Sequence, residues 1–259
     1  MVEIIKKIKG KYPYNAITLS LGERSYESYE RMFKAGADRY LLRHETASKE
    51  LYESLHPNSS FENRRKCLEN LKKIGYQIGA GFMVGLPKQT NNDLVNDLLY
   101  LKELNPHMCG IGPFIPHKDT PLYNENCGTL EKTITMLALV RLMLPKVLLP
   151  ATTALGSIDP LGREKGLKAG GNVVMPNLSP TNVREKYLLY DGKICTGDEA
   201  AECRACIEKR INKAGFKLNI SRGDSLVLSE EEINNINKNI KIEKIIKENL
   251  DNISLVKKG

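Results

Sequence analysis

The sequence predicts an α/β fold of the TIM-barrel type, and three observations carry that prediction. Short apolar runs with strand character alternate with helical patterns from the start of the chain to about residue 175. Helix start and stop signals sit between those runs in the expected order. The helices are apolar on one side only, as an outer layer should be. Alternation of this kind implies a parallel sheet with right-handed crossovers.

The elements follow in order. Lys6 to Lys11 ends an opening helix, and Asn15 to Leu19 is a strand followed by the loop Ser20-Leu21-Gly22-Glu23. Tyr26 to Ala35 is a helix stopped by Gly36, and residues 39–43 form the next strand. After a loop, Ser59 and Glu62 make a capping box for the helix Phe61 to Ile74, which ends at Gly75. Gln77 to Val84 is a strand, Thr90 caps the helix Asn91 to Leu104, and Met108 to Ile111 is a strand. Leu130 to Leu144 is a helix, Val147 to Pro150 a strand, Gly162 to Ala169 a short helix and Asn172 to Met175 the last strand.

This gives six strands, whereas a closed barrel has eight and takes about 250 residues. The expectation is a barrel with six of its eight βα units, the first two missing, most simply by N-terminal truncation. The organisation expected is a partial barrel over residues 1–176, a cysteine-bearing segment over 177–206 and a helical tail over 207–259. In the tail, Ser229 and Glu232 cap a helix running to about Asn252, which either docks on the body through Ile233, Ile236, Ile240, Ile246 and Leu250 or is a frayed tail.

Composition narrows the class. With 259 residues, 41% of them hydrophobic, the chain can bury a sizeable core. The longest apolar region, Thr133 to Ala154, is broken by Arg141, Pro145 and Lys146, which argues against a membrane span. No secretory signal opens the chain, and six scattered cysteines do not make a secreted disulfide scaffold; both features favour the cytoplasm. The net charge of +8 is dispersed among Asn, Ile and Glu without interleaved aromatics, which favours a solvated surface over a nucleic-acid interface.

The stretch Tyr40 to Ala47 holds the first candidate site. An apolar strand breaks into Arg43-His44-Glu45-Thr46, and Arg43 and Glu45 fall on one side if the strand continues. A cation and an anion at the C-terminal end of a barrel strand make a ligand site or, alternatively, a structural ion pair. Arg64, near the start of the next helix, either faces solvent or completes a clamp with Arg43 and Glu45: arginine for a carboxylate, glutamate for an amino group. Those are the charged groups of an amino acid. Met83-Val84-Gly85-Leu86-Pro87 lies at the same rim. Thr152 and Thr153 bring hydroxyls to another strand end, with capping as the alternative, and Tyr187 and Tyr190 are one helical turn apart, with core packing as the alternative. Cys195-x7-Cys203-x2-Cys206 has three thiolates near enough to hold iron or zinc, or is an incidental cluster. Cys67, Cys109 and Cys127 read as structural and the four histidines as structural or solvent-facing, with His117, which follows a barrel strand, the best outside candidate for a site. No glycine loop of P-loop or Rossmann type is present.

Several segments together resemble the radical SAM superfamily, its biotin-synthase-like group and, within that, the FeFe-hydrogenase maturases of the HydE family. They are TLSLGE (18–23), AGADRYLLRHETA (35–47), SFENR (60–64), GAGFMVGLPKQT (79–90), GIGPFIPH (110–117), PATTALG (150–156), VVMPN (173–177) and YLLYDGKIC (187–195). The resemblance implies an eight-stranded barrel that binds S-adenosylmethionine and a 4Fe–4S cluster and produces a 5′-deoxyadenosyl radical. It implies that Glu45 holds the amino group of S-adenosylmethionine and Arg64 its carboxylate, with Arg43, Met83, Thr18 and Ser20 around the same pocket. Thr152, Thr153, Tyr187 and Tyr190 would line a chamber for a small cysteine-bound iron carbonyl cyanide complex, and Cys195, Cys203 and Cys206 would hold an accessory Fe–S cluster. The implied partners are that organometallic substrate, a reductant and other hydrogenase maturation proteins. The sequence departs from the family at one point: it contains no CxxxCxxC loop. The expectation is that the chain alone does not turn over. A methylornithine-synthase-like mutase, a non-catalytic S-adenosylmethionine-binding fragment and a metal-free aldolase-type barrel are the competing readings; no strand-end lysine stands out to favour the last.

Overall fold

The computed structural model describes residues 1–194 and 200–240. Its elements are α1 (Val2–Lys11), β1 (Thr18–Leu19), α2 (Tyr26–Lys34), β2 (Arg39–Leu41), α3 (Lys49–Leu55), α4 (Phe61–Ile74), β3 (Gln77–Ala80), β4 (Met83–Val84) and α5 (Asn91–Leu104). They continue with β5 (Met108–Cys109), β6 (Gly112–Pro113), α6 (Leu130–Met143), α7 (Thr153–Ile158), α8 (Gly162–Lys168), a 3-10 helix (Thr181–Tyr187) and α9 (Ala200–Lys213). Residues 230–240 are helical as well.

The strands neighbour one another in chain order and run parallel. β1 pairs with β2, β2 with β3 and β3 with β5. Isolated parallel bridges extend the ladder from Met108 to Leu148 and from Pro150 to Val173. This is a partial TIM-type α/β fold, and its strand C-terminal ends all open to one side.

Several strands are shorter than the apolar runs suggest. The run Gln77 to Val84 is split into β3 and β4 because Gly81 approaches the neighbouring backbone so closely that a Cβ there would lie 2.0 Å from the Gly110 carbonyl oxygen. Beyond the break, β4 pairs with β6 as a second short parallel ladder. The stretches at 147–150 and 172–175 make single bridges rather than full strands. Two short helices, α3 and α7, occupy stretches whose sequence reads as loop. The α4 cap is Ser60, which accepts from the Asn63 N–H at 3.2 Å, and not Ser59. Ser59 instead bonds Glu23 and the Tyr52 hydroxyl. The Thr90–Asp93 capping box on α5 and the left-handed Gly75 closing α4 agree with the sequence reading.

The core lies between sheet and helices. Tyr29, Tyr40 and Tyr76 meet edge to face, and Ile78, Phe82, Leu68, Leu71, Leu101, Ile111 and Leu137 are fully buried around them. Cys67 and Cys109 are buried within this core, as expected of structural thiols; Cys127 is exposed, because it sits in the loop before α6.

The C-terminal part docks on both ends of the body. Ile207 and Ile211 of α9 and Ala214 just after it pack with Leu167 and Ala151, and Arg210 pairs with Glu164 at 2.8 Å. Ahead of the last helix, the stretch around Asp224 reaches the lower end of the strands. Arg39 and Gln77 both donate to Asp224, at 2.9 and 3.0 Å, while Arg222 pairs with Asp38. Ser229 and Glu232 cap each other reciprocally at the start of the 230–240 helix. Ile246 and Leu250 lie outside the described residues.

Candidate active site at the C-terminal ends of the strands

Loops at the upper ends of the strands enclose a cavity of about 920 Å³. Its wall includes Ser20 after β1, Arg43 and Glu45 after β2, Arg64 from α4, Met83 from β4, Thr152 and Thr153 at the start of α7, and Tyr190. These side chains come from segments spread over 170 positions of sequence (20 to 190) and meet because parallel strands place all their C-terminal ends together.

The charged groups alternate. Arg43 Nη2 lies 2.7 Å from Glu45 Oε2, and Arg64 Nε lies 2.8 Å from Glu23 Oε1. Arg64 also donates to the Tyr52 hydroxyl at 3.1 Å and to the Arg43 carbonyl at 3.5 Å. Arg43, Arg64 and Glu45 share one wall, so each pole of a zwitterionic ligand finds an opposite partner, while Glu23 pairs with Arg64 without lining the cavity. The His56 ring packs tilted against Tyr52, with centroids 4.7 Å apart, and burial holds its pKa below the usual imidazole range despite the nearby carboxylates of Glu45 and Glu23.

The backbone at this rim is irregular. Leu41 pairs with Gly79, but the next bridge joins Glu45 to Phe82. Four steps on one strand therefore match three on the other, which is a bulge with one extra residue. Glu45 has φ +67°, a left-handed conformation that costs a non-glycine residue about 1 kcal/mol or more. His44, within the bulge, is 2% exposed. Its Nδ1 accepts from the Gly81 N–H at 3.2 Å, and its Nε2 faces Asp97 Oδ1, also at 3.2 Å. The same Asp97 oxygen accepts from the Ala47 N–H at 2.5 Å. Burial raises the Asp97 pKa, while the bonds from His44 and Ala47 oppose that rise.

On the far side of the cavity, Thr152 stands at the N-cap position of α7 yet makes no capping bond, and its buried Oγ1 has no hydrogen-bond partner. That leaves its hydroxyl to a ligand. Thr153 Oγ1 accepts from Arg163 at 3.1 Å. His117 and Lys193 also reach the wall.

Some expected site residues fall elsewhere. Thr18 opens β1, is exposed and does not line the cavity, because it lies two residues below Ser20 on the strand. Tyr187 ends the 3-10 helix, and its side chain lies outside those described. Cys195 lies outside the described residues, as does the side chain of Cys203, and Cys206 is exposed on α9. Among the described residues no group of three or more His, Cys, Asp or Glu is placed to hold a metal ion. Sequence reasoning missed Glu23, Tyr52, His44 and Asp97; the adjacency of His44 to both Arg43 and Glu45 was the available signal.

Comparisons with known proteins bear on the family and the fold. The family model of the Radical SAM superfamily matches residues 1–101. The [FeFe] hydrogenase maturase subunit HydE of Thermotoga maritima is 54% identical over 215 residues, covering 83% of this chain and 61% of that protein. The chain is a HydE-like radical SAM sequence. A 3-methylornithine synthase of Methanosarcina acetivorans is 30% identical, over 73% of this chain and 53% of its own length. Among solved structures, methylornithine synthase superposes with a TM-score of 0.70 at 24% identity, covering 84% of this chain and 63% of that one. The hydrogenase maturase HydG gives 0.63 at 17% identity, over 83% and 48%. At these identities the structures show the fold alone. The chain spans about three fifths of the HydE relative and about half of the methylornithine synthase relative. Among the described residues no helix is long and apolar enough to cross a membrane.

Proposed function

We propose that this HydE-like chain forms the larger part of a radical SAM barrel, with six of eight βα units, whose upper cavity binds S-adenosylmethionine. The observation that carries the reading is the set Arg43, Glu45 and Arg64 in the wall of a 920 Å³ cavity, with Arg43 paired to Glu45 and Arg64 held by Glu23. Glu45 would accept from the amino group of the ligand, and Arg64 would hold its carboxylate, with Arg43 exchanging its intramolecular partner for the ligand. Met83 and Ser20 flank that end. Thr152, Thr153 and Tyr190 line the opposite wall, to which the family resemblance would add Tyr187, and a small cysteine-bound iron carbonyl cyanide complex would sit there. The identity to the HydE relative supports a role in hydrogenase maturation, with a reductant and other maturation proteins as partners in the cytoplasm.

Family members use a 4Fe–4S cluster to reduce S-adenosylmethionine. The residues present do not fit that group: the sequence has no CxxxCxxC loop, and Cys195-x7-Cys203-x2-Cys206 has the wrong spacing and follows the strands. We assign those cysteines to an accessory cluster, and residues 177–206 to a segment that completes the substrate chamber and carries that cluster. The chain alone is therefore expected to bind but not to turn over. The methylornithine synthase relative keeps a second reading open, a radical mutase on the same barrel.

The test is anaerobic. The chain is reconstituted with iron and sulfide, given S-adenosylmethionine and dithionite, and assayed for 5′-deoxyadenosine. The reading expects none from the chain alone and product when a segment bearing a CxxxCxxC loop is joined upstream. Product from the chain alone would overturn the account of the missing ligands.

A further inference from the structure

His44 does not line the cavity, yet the two residues beside it do. We propose that His44 and Asp97 form a positioning pair that sets the Arg43 and Glu45 side chains, an inference that rests on the reading of the cavity as an S-adenosylmethionine site. The bulge at 42–44 leaves the Gly81 N–H without a backbone acceptor in register, because the next main-chain bond in the ladder is Glu45 N–H to Gly81 carbonyl at 3.1 Å. His44 Nδ1 takes the place of that acceptor. With Nδ1 accepting, the neutral ring carries its proton on Nε2 and donates it to Asp97 Oδ1.

Asp97 belongs to α5, so the pair ties the rim to a helix anchored elsewhere in the core. Its carboxylate also holds the Ala47 N–H. The backbone is thus fixed on both sides of Glu45: at 44 through the ring and at 47 through Asp97. Between those points Glu45 sits in its left-handed conformation and turns back onto Arg43. A residue held this way has little freedom to relax, and a clamp preset for its ligand loses less entropy on binding. Burial of the pair matters here. His44 and Asp97 are 2% and 0% exposed at the side chain, so water cannot replace either bond.

Three variants separate the contributions. His44→Phe keeps the ring and removes both nitrogens. His44→Asn restores an acceptor near Nδ1 without reaching Asp97. Asp97→Asn keeps the acceptor for Ala47 and removes the charge. Two readouts apply, hydrogen exchange of the Ala47 and Gly81 amides and the dissociation constant for S-adenosylmethionine. The proposal expects His44→Phe to speed exchange at both amides and to weaken binding about tenfold, and His44→Asn to restore protection at Gly81 alone with partial recovery of affinity. Unchanged exchange in His44→Phe overturns the bridge itself. Faster exchange with unchanged affinity overturns its positioning role. If the unaltered chain does not bind S-adenosylmethionine, the reading of the cavity falls and the positioning role with it, while exchange still decides whether the bridge exists. A folded state is verified for each variant by its thermal midpoint.

Discussion

Replacing Gly81 by alanine tests one of the closest backbone approaches among the described residues. A Cβ at this position would sit 2.0 Å from the Gly110 carbonyl oxygen, 2.7 Å from its carbon and 2.9 Å from its nitrogen. A relaxed carbon–oxygen contact is about 3.3 Å, so one strand must move by about 1.3 Å. The neighbours are backbone, which cannot rotate away. Movement strains two bonds that cross this point, Gly110 N–H to Ala80 carbonyl at 2.8 Å and Glu45 N–H to Gly81 carbonyl at 3.1 Å. Overpacking costs about 1–3 kcal/mol and each weakened bond about 1 kcal/mol, so the loss should reach at least about 3 kcal/mol. For a chain of this size that lowers the thermal midpoint by about 6–12 °C. Gly215→Ala is the control: φ is +92° but nothing lies within 4 Å, so it should cost only about 1 kcal/mol. Differential scanning calorimetry of the two variants decides the matter. A Gly81→Ala midpoint within 2 °C of the control would refute the argument that steric exclusion at Gly81 splits the strand.

Other outcomes follow from local geometry. Thr90→Ala removes the side-chain acceptor for the Asp93 N–H and should cost about 1 kcal/mol in chemical denaturation. Burial pushes the Cys109 thiol up to about 12, so at pH 8 a thiol reagent should label exposed Cys127 and Cys206 and spare Cys109 until the chain unfolds, as read by peptide mapping. The hydrogen bond from Arg210 lowers the Glu164 pKa. Its folded value lies below its unfolded one, so the stabilisation is complete above the unfolded pKa of about 4.3 and fades as pH falls through the lower folded value. Glu164→Gln should therefore lower stability at pH 7 and converge on the unaltered chain in acid, measured by urea denaturation at each pH.

Much of the architecture was legible in local patterns. The caps at Thr90, Gly75 and Ser229 depend on one or two side chains and their own backbone, so the sequence alone suffices there. The pairing of Arg43 with Glu45 was legible from their spacing. The bulge that brings them together was not, because register is fixed by the partner strand. Ser59 and Ser60 are equally good caps by composition; Ser59 is withdrawn by Glu23 and Tyr52, which are distant in sequence. His44 reads as an ordinary core histidine until Asp97, 53 residues later, is placed beside it. The helices α3 and α7, with seven and six residues, are too short for a helical period to stand out. The docking of Asp224 beneath the strands depends on long-range ion pairs that no local pattern encodes.

The central claim is that the upper cavity clamps an amino-acid zwitterion through Glu45 and Arg64. Equilibrium dialysis with radiolabelled S-adenosylmethionine tests it directly, on the unaltered chain, Glu45→Gln and Arg64→Ala. The account predicts one saturable site, weakened at least about tenfold in each variant, since each loses a charge-assisted hydrogen bond. Saturable binding that both variants retain at full affinity, or no saturable binding by the unaltered chain, would contradict it.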